Sequence, residues 1–309
     1  MVPNRTYFGL IDVYLDGEEL CAEAALHAAA ATRRRMRPSI RGTLHIGEDR
    51  RAILAAYKLA RERAAQTLEV PPAMAGLLEE LYVAEKAMAN LREEEATGWR
   101  GLPVMAQGEH LGLPRAYDIA ACLVGHRGGR VDEAYLTKLL DAYQAASPLM
   151  MRELCALPSL LRVALVKLIA LECGCGLFAM RQYAQAEAAA GQLGKRVGWA
   201  ALEKQDFEQK PHLAARLFAL LAERDEQAAC AQLIERLSLA DQEAESLFAA
   251  VQRMDADSAT RLQNAIKSLR ALDAMDWERL GERFSRVDAA LRREQTYPRM
   301  DARSRAWYR

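Results

Sequence analysis

The chain has 309 residues, and its 42 lysines and arginines balance 42 aspartates and glutamates, so the formal net charge is zero. No overall field draws it to nucleic acid or to an anionic membrane, which excludes partners bound by charge alone. Apolar residues make up 51% and charged residues 27%, values that suit a folded protein with one large core or two ordinary ones.

Aromatics are only 6%, while alanine, leucine, glutamate, arginine and glutamine abound. These residues lose little side-chain freedom in a helix, so composition favours an all-α fold. Met1 to Leu10 has no basic stretch followed by an apolar one, so no secretory signal is expected there. The six cysteines fall inside helical patterns, as expected of reduced thiols in the cytoplasm.

In chain order, Met1 to about Gly47 carries the least pattern. Phe8–Leu15 is a short stretch of ambiguous alternation, and Gly17–Ala31 reads as a helix. The basic run Arg33, Arg34, Arg35, Arg37, stopped by Pro38, is either a solvated helix end or an anion-binding patch. Glu48–Leu68 predicts a second helix with Ile53, Leu54, Tyr57 and Leu68 inward. Pro71 and Pro72 open a third, running to about Glu95, whose stripe is Leu77, Leu78, Leu81, Tyr82 and Met88. Glycines and prolines between Gly98 and Pro114 then mark a connection. The expected organisation is a helical segment over 1–97, a connection over 98–113 and a helical array over 114–309.

Arg115–Val124 predicts a helix ended by glycines, and Asp132 caps the next, whose inward face is Leu136, Leu139, Leu140 and Tyr143. Ser147-Pro148 and Pro158 mark further helix starts. Leu160–Met180 is long and apolar, yet it carries Arg162, Lys167 and Glu172, which favours a packed core helix over a membrane span. Pro211 opens a helix with Leu213, Leu217, Leu220 and Leu221 inward, and Ser238–Asp241 reads as a capping box before Leu247, Phe248 and Val251. The last pair has a seam of Leu262, Ile266, Leu269 and Leu272, then Trp277, Leu280, Phe284, Val287 and Leu291. No convincing strand appears. The result is an all-α array of antiparallel helices, compatible with a superhelical stack of helix pairs.

Catalytic signatures are absent from the sequence, and no cofactor-binding motif is present. Cys173-Gly174-Cys175 has no second ligand pair at zinc spacing, so no metal site is expected. Two clusters carry candidate contacts. In the first, His126 sits with Arg127, Arg130 and Asp132 in a glycine-rich turn, which is either an anion- or sugar-facing group or simply a glycine-ended helix with a capped successor. The second is the terminal block Tyr297, Arg299, Asp301, Arg305, Trp307 and Tyr308, rich in residue types that dominate interfaces. It is either a final helix capping the array or a docking element. No breaker follows Arg309, which leads us to expect further chain beyond it.

Leu113–Ile169 resembles the helical region of cyclic β-1,2-glucan synthases. The likeness runs through Pro114, Arg115 and Tyr117, then His126, Gly129, Arg130, Asp132 and Glu133, then Pro148, Leu149, Glu153, Leu154 and Pro158, and Arg162, Ala164 and Leu165. Cys155 stands where the family has tryptophan. The closing segment is similar through Ser268, Arg270, Leu272, Asp276, Trp277, Tyr297, Arg299, Met300, Asp301, Arg305, Tyr308 and Arg309. The resemblance covers roughly Pro72–Arg309. It implies a parent that builds glucan from UDP-glucose, with membrane spans, a metal-dependent transferase domain and a phosphorylase-like module of glycoside hydrolase family 94.

None of the parent's catalytic motifs is matched here. The implied role is therefore a non-catalytic scaffold or docking portion, whose partners are those transferase and phosphorylase domains, with glucan as a further ligand. The alternative is a free-standing helical module that binds a protein partner.

Overall fold

The computed structural model describes residues 17–35, 44, 46–95, 99, 101–105, 110–191, 207, 209–239 and 244–308. Phe8–Leu15, Arg37 and Pro38, and Asp241 of the expected capping box lie outside these. Among the described residues there are twelve α-helices: α1 (Gly17–Ala30), α2 (Gly47–Ala65), α3 (Pro72–Glu95), α4 (Arg115–His126), α5 (Glu133–Ala146), α6 (Met151–Ala190), α7 (Pro211–Glu223), α8 (Gln227–Leu239), α9 (Ala244–Ala274), α10 (Trp277–Phe284), α11 (Arg286–Leu291) and α12 (Ala302–Tyr308). The fold is all-α, as composition implied. Among the described residues, a small antiparallel pair departs from this, β1 (Ala31–Arg35) with β2 (Pro103–Met105). Arg33, Arg34 and Arg35 thus lie on a strand and do not end a helix. Their extended backbone pairs with a segment that the sequence showed only as a connection.

Two compact units divide the chain, and each draws on separated stretches. The smaller takes Arg51–Leu81 and Ala170–Gln263; the larger takes the described residues of Arg5–Arg50, Tyr82–Ile169 and Asn264–Arg309.

In the smaller unit, one apolar cluster joins Ala186 and Ala190 of α6, Leu213, Leu217 and Leu221 of α7, and Leu233 and Leu237 of α8. The α7 stripe is therefore inward as its spacing predicts. Phe218 and Phe248 pack with ring centroids 4.8 Å apart. A polar lattice flanks this core: Arg63 donates to both oxygens of Glu187 at 2.6 and 3.2 Å, and Asp255 contacts His212 Nε2 at 3.0 Å. Glu172, fully buried on α6, accepts from Ser258 Oγ at 2.6 Å and Arg261 Nε at 2.5 Å.

Gly176 lets α6 approach Met74 closely. A Cβ there would stand 2.5 Å from Met74 Sδ, and Met74 is itself fully buried. Gly176→Ala is expected to cost about 1–3 kcal/mol by overpacking, read as a lower urea midpoint. A neutral or stabilising result would show that the thioether has room to swing aside.

In the larger unit, α4 is almost wholly buried, and Leu136, Leu139, Leu140 and Tyr143 of α5 face inward. Asp132 caps α5 by accepting from Tyr135 N at 2.9 Å. Three expectations change. Pro158 starts no helix; it lies inside the 40-residue α6. Proline removes one backbone donor from an interior turn, and the packing of Leu157, Leu160 and Leu161 holds the helix together across that gap. Tyr82 is 61% exposed, because the buried stripe of α3 turns through Val83, Ala84, Ala87 and Met88 instead. Its hydroxyl accepts from Arg270 Nη2 at 2.6 Å. Val287 is exposed because Ser285 ends α10 and caps α11, which resets the helical phase after Phe284.

α6 is long and apolar enough to cross a membrane by length and composition, and 78% of its most apolar window is buried inside the protein. The charges that sequence singled out within it, Arg162, Lys167 and Glu172, are paired. In the larger unit, Lys167 meets Asp49 at 2.9 Å and Arg162 meets Asp273 at 3.1 Å. Hydrogen bonds from Lys86 and Arg162 hold the Asp273 carboxyl below its ordinary range.

Candidate functional site

Both candidate clusters lie in the larger unit. At the first, α4 ends on His126, and the chain reverses through Gly128 and Gly129 at φ 54° and 81°. That left-handed backbone is the reason glycine stands there. The turn is clasped by α9: Ser268 Oγ donates to Gly129 O and accepts from Val131 N, both at 2.8 Å, and Asn264 Nδ2 donates to Gly128 O at 3.2 Å. His126 does not face outward. It is buried, and its Nε2 lies 2.9 Å from Glu23 Oε2 of α1. The Arg127 guanidinium stacks on the Tyr135 ring at 3.6 Å. Arg130 is exposed, with Nε 3.8 Å from Asp132 Oδ2. The imidazole and the two guanidiniums therefore serve three separate contacts and do not converge on one ligand.

The terminal block is similarly divided. Tyr297 is buried, and its hydroxyl donates to Asp288 Oδ1 at 2.7 Å. Asp288, also buried, takes a second contact from Arg292. Arg305 ties Glu282 at 3.0 Å and donates to Met300 O at 2.6 Å. Asp301 caps α12 by accepting from Ser304 N at 2.9 Å, and that backbone hydrogen bond pulls its carboxyl below the usual range. Arg299 is exposed, Tyr308 leans edge-on against Tyr297, and Trp307 projects at 86% exposure. Arg299, Asp301, Trp307 and Tyr308 are presented to solvent, whereas Tyr297 and Arg305 tie the segment to Asp288 and Glu282.

Close by in sequence to that block, a groove of about 630 Å³ runs between the start of α6 and α10. Met151, Leu154, Cys155 and Pro158 form one wall; Trp277, Glu278 and Gly281 form the other. The spacings of three and four residues put each set on one helical face. Trp277 Nε1 donates to Leu272 O at 2.9 Å, which fixes the indole. Gly281 lets the walls close, since a Cβ there would meet Met151 Cε at 3.3 Å. The groove opens beside Cys155, where the resembled family has tryptophan. Its lining is apolar with a single carboxylate, Glu278, which suits an apolar side chain or a stacked ring better than acid–base chemistry.

Five carboxylates are buried among the described residues, and each is engaged. Asp49 meets Lys167 at 2.9 Å, Asp118 meets His110 at 2.6 Å, Glu153 meets Arg115 at 2.7 Å, Glu172 meets Arg261 at 2.5 Å and Asp288 meets Tyr297 at 2.7 Å. No sequence pattern points to His110–Asp118, a buried pair with Tyr117 packed edge-on against the imidazole. Burial, with the Asp49 and Asp118 charges, pushes the Tyr117 phenol well up, so it stays neutral.

The residues that carry the family resemblance are largely those that tie this unit together. Arg115, Pro148 and Glu153 meet in one buried network, and Ser268 from the closing segment grips Gly129 from the earlier one. What these features define is an all-helical module whose buried acids act as internal ties. In sequence, the chain is 27% identical over 271 residues to the cyclic β-(1,2)-glucan synthase NdvB of Rhizobium meliloti (strain 1021). That match covers 85% of this chain and 10% of the relative, so the chain spans about a tenth of that protein's length. It supports a relationship to the cyclic glucan synthases, as the motifs led us to expect. No family model matches the chain.

Proposed function

We propose that this chain is a non-catalytic helical scaffold of a carbohydrate enzyme akin to cyclic β-1,2-glucan synthase. It holds transferase or phosphorylase domains in place, including a module like glycoside hydrolase family 94. The supporting observation is where the resembling residues go: Arg115, Glu153, Gly129, Ser268, Asp276 and Tyr297 are spent on buried ties and helix caps. Shared residues that serve packing are the signature of a scaffold, since function resides in sites and not in folds.

On this reading the array over 114–309 is the part that adjoins the transferase domain, with 1–97 and the connection 98–113 ahead of it. The chain works in the cytoplasm of a bacterium, and the scaffold role calls for no catalytic cofactor. Arg130, Arg299, Trp307 and Tyr308 are the contacts it offers to a neighbour or to glucan. Incubating the purified chain with UDP-glucose and divalent metal should yield no glucan above a no-protein control. Sustained synthesis would overturn the scaffold reading.

A second reading is a free-standing module that binds a protein partner, favoured by the bare indole of Trp307. DNA sequence beyond codon 309 separates the two. Continuation into membrane spans and a transferase supports the first; an immediate stop codon supports the second.

A further inference from the structure

The tertiary fold assembles a constellation that neither the family resemblance nor the spacing of cysteines suggested. Cys122 and His126 are four residues apart on α4, one helical turn, so both side chains leave the same face. Glu23 of α1 lies against that face, with Oε2 2.9 Å from His126 Nε2. The thiol sulfur, an imidazole nitrogen and a carboxylate oxygen all lie within 4.8 Å of one another. Cys122 and His126 are buried, whereas Glu23 is partly open, which gives an ion a way in.

We propose that Glu23, Cys122 and His126 bind a divalent cation of the zinc class and thereby pin α1 to α4.

Donor chemistry selects the metal. A thiolate with an imidazole suits zinc, whereas calcium and magnesium prefer all-oxygen shells. Donors held at zinc bond lengths in a tetrahedron stand roughly 3.5 Å apart, so rotamer shifts of about 1 Å close the set. The charges also close. A dication, one thiolate and one carboxylate sum to zero, which a buried site needs. Binding releases the Cys122 proton to solvent, and the imidazole coordinates through Nε2 with its proton on Nδ1. Burial, together with the Glu23 and Asp118 carboxylates, raises the Cys122 thiol, so the metal must displace a firmly held proton. Affinity therefore rises with pH. Three protein donors leave a fourth position for water.

The test uses the full chain, stripped with a chelator and titrated with cobalt(II) and then zinc(II). One equivalent of cobalt should give the intense visible absorption of a four-coordinate site and a thiolate-to-metal charge-transfer band, and zinc should abolish both. Cys122→Ser should remove the charge-transfer band, while Cys230→Ser, at a half-buried thiol in the other unit, should keep it. Glu23→Gln should weaken zinc more than about tenfold, the loss that even an outer-shell partner produces. Absence of stoichiometric binding overturns the proposal, as does a band that survives Cys122→Ser. Should Cys122→Ser fail to fold by circular dichroism, Glu23→Gln decides, and an unchanged zinc affinity there sinks the idea.

Discussion

Arg115→Met is expected to cost the larger unit about 3–5 kcal/mol of stability, read as a lower urea midpoint at unchanged slope. Arg115 is almost completely buried and spends its guanidinium on four acceptors. Its Nε and Nη2 hold the two oxygens of Glu153 at 2.9 and 2.7 Å, Nη1 reaches Ser147 Oγ at 2.6 Å, and Nη2 also reaches Pro148 O at 3.1 Å. The same group lies 5.8 Å from the centre of the Tyr143 ring. Methionine fills much of the volume but leaves Glu153, fully buried, with the backbone N–H of Met150 as its remaining donor. An uncompensated buried charge is the costly outcome, far more so than the loss of the pair's net attraction. Adding Glu153→Leu should therefore recover part of the loss. Recovery stays incomplete because Ser147 and Pro148 O also lose their donor. A cost below about 1 kcal/mol for the single variant would mean that water reaches Glu153.

In the smaller unit the corresponding substitution is Glu172→Leu, again with an expected cost of about 3–5 kcal/mol. Glu172 accepts from Ser258 and Arg261, and all three are buried. Leucine takes both carboxylate acceptors away from the buried guanidinium. Glu172→Gln keeps an acceptor of the same shape and should cost less, so the order of the two variants isolates the charge from the hydrogen bond. Hydrogen exchange in the amides of α9 gives an independent reading, because Ser258 and Arg261 both sit on that helix. Equal losses for the leucine and glutamine variants would contradict the argument.

Local signals were legible. Asp132 reads as a cap because a short acceptor followed by an apolar repeat has few other uses, and the stripe from Leu136 to Tyr143 is inward as its spacing predicts. Pro72 and Pro211 open helices as expected. Pro158 misled because a proline's cost is local, whereas the packing that overrides it comes from elsewhere in the chain. Long-range electrostatics were invisible for the same reason. Arg115 and Glu153 are 38 residues apart, Asp49 and Lys167 are 118 apart, and no periodicity links such positions. His126 stood out in sequence as a polar residue in a glycine turn, but its partner Glu23 sits on a helix at the other end of the chain. The one available hint of the thiol–imidazole–carboxylate set was the four-residue step from Cys122 to His126. Without the third ligand it is indistinguishable from core packing.

The clasp at Ser268 has a consequence for how α9 settles. The inward leucines, alanine and isoleucine of its last turns, Ala265, Ile266, Leu269 and Leu272, repeat so regularly that sliding the rod by one turn, about 5.4 Å, would bury nearly as much grease. Ser268 removes that ambiguity, because its hydroxyl must give to one strand of the bend and receive from the other at once. Leu272, one turn on, has no polar group to offer, and Asn264, one turn back, is already tied to Gly128 O. A single oxygen atom thus acts as a vernier, selecting one alignment among several that oiliness alone would leave degenerate.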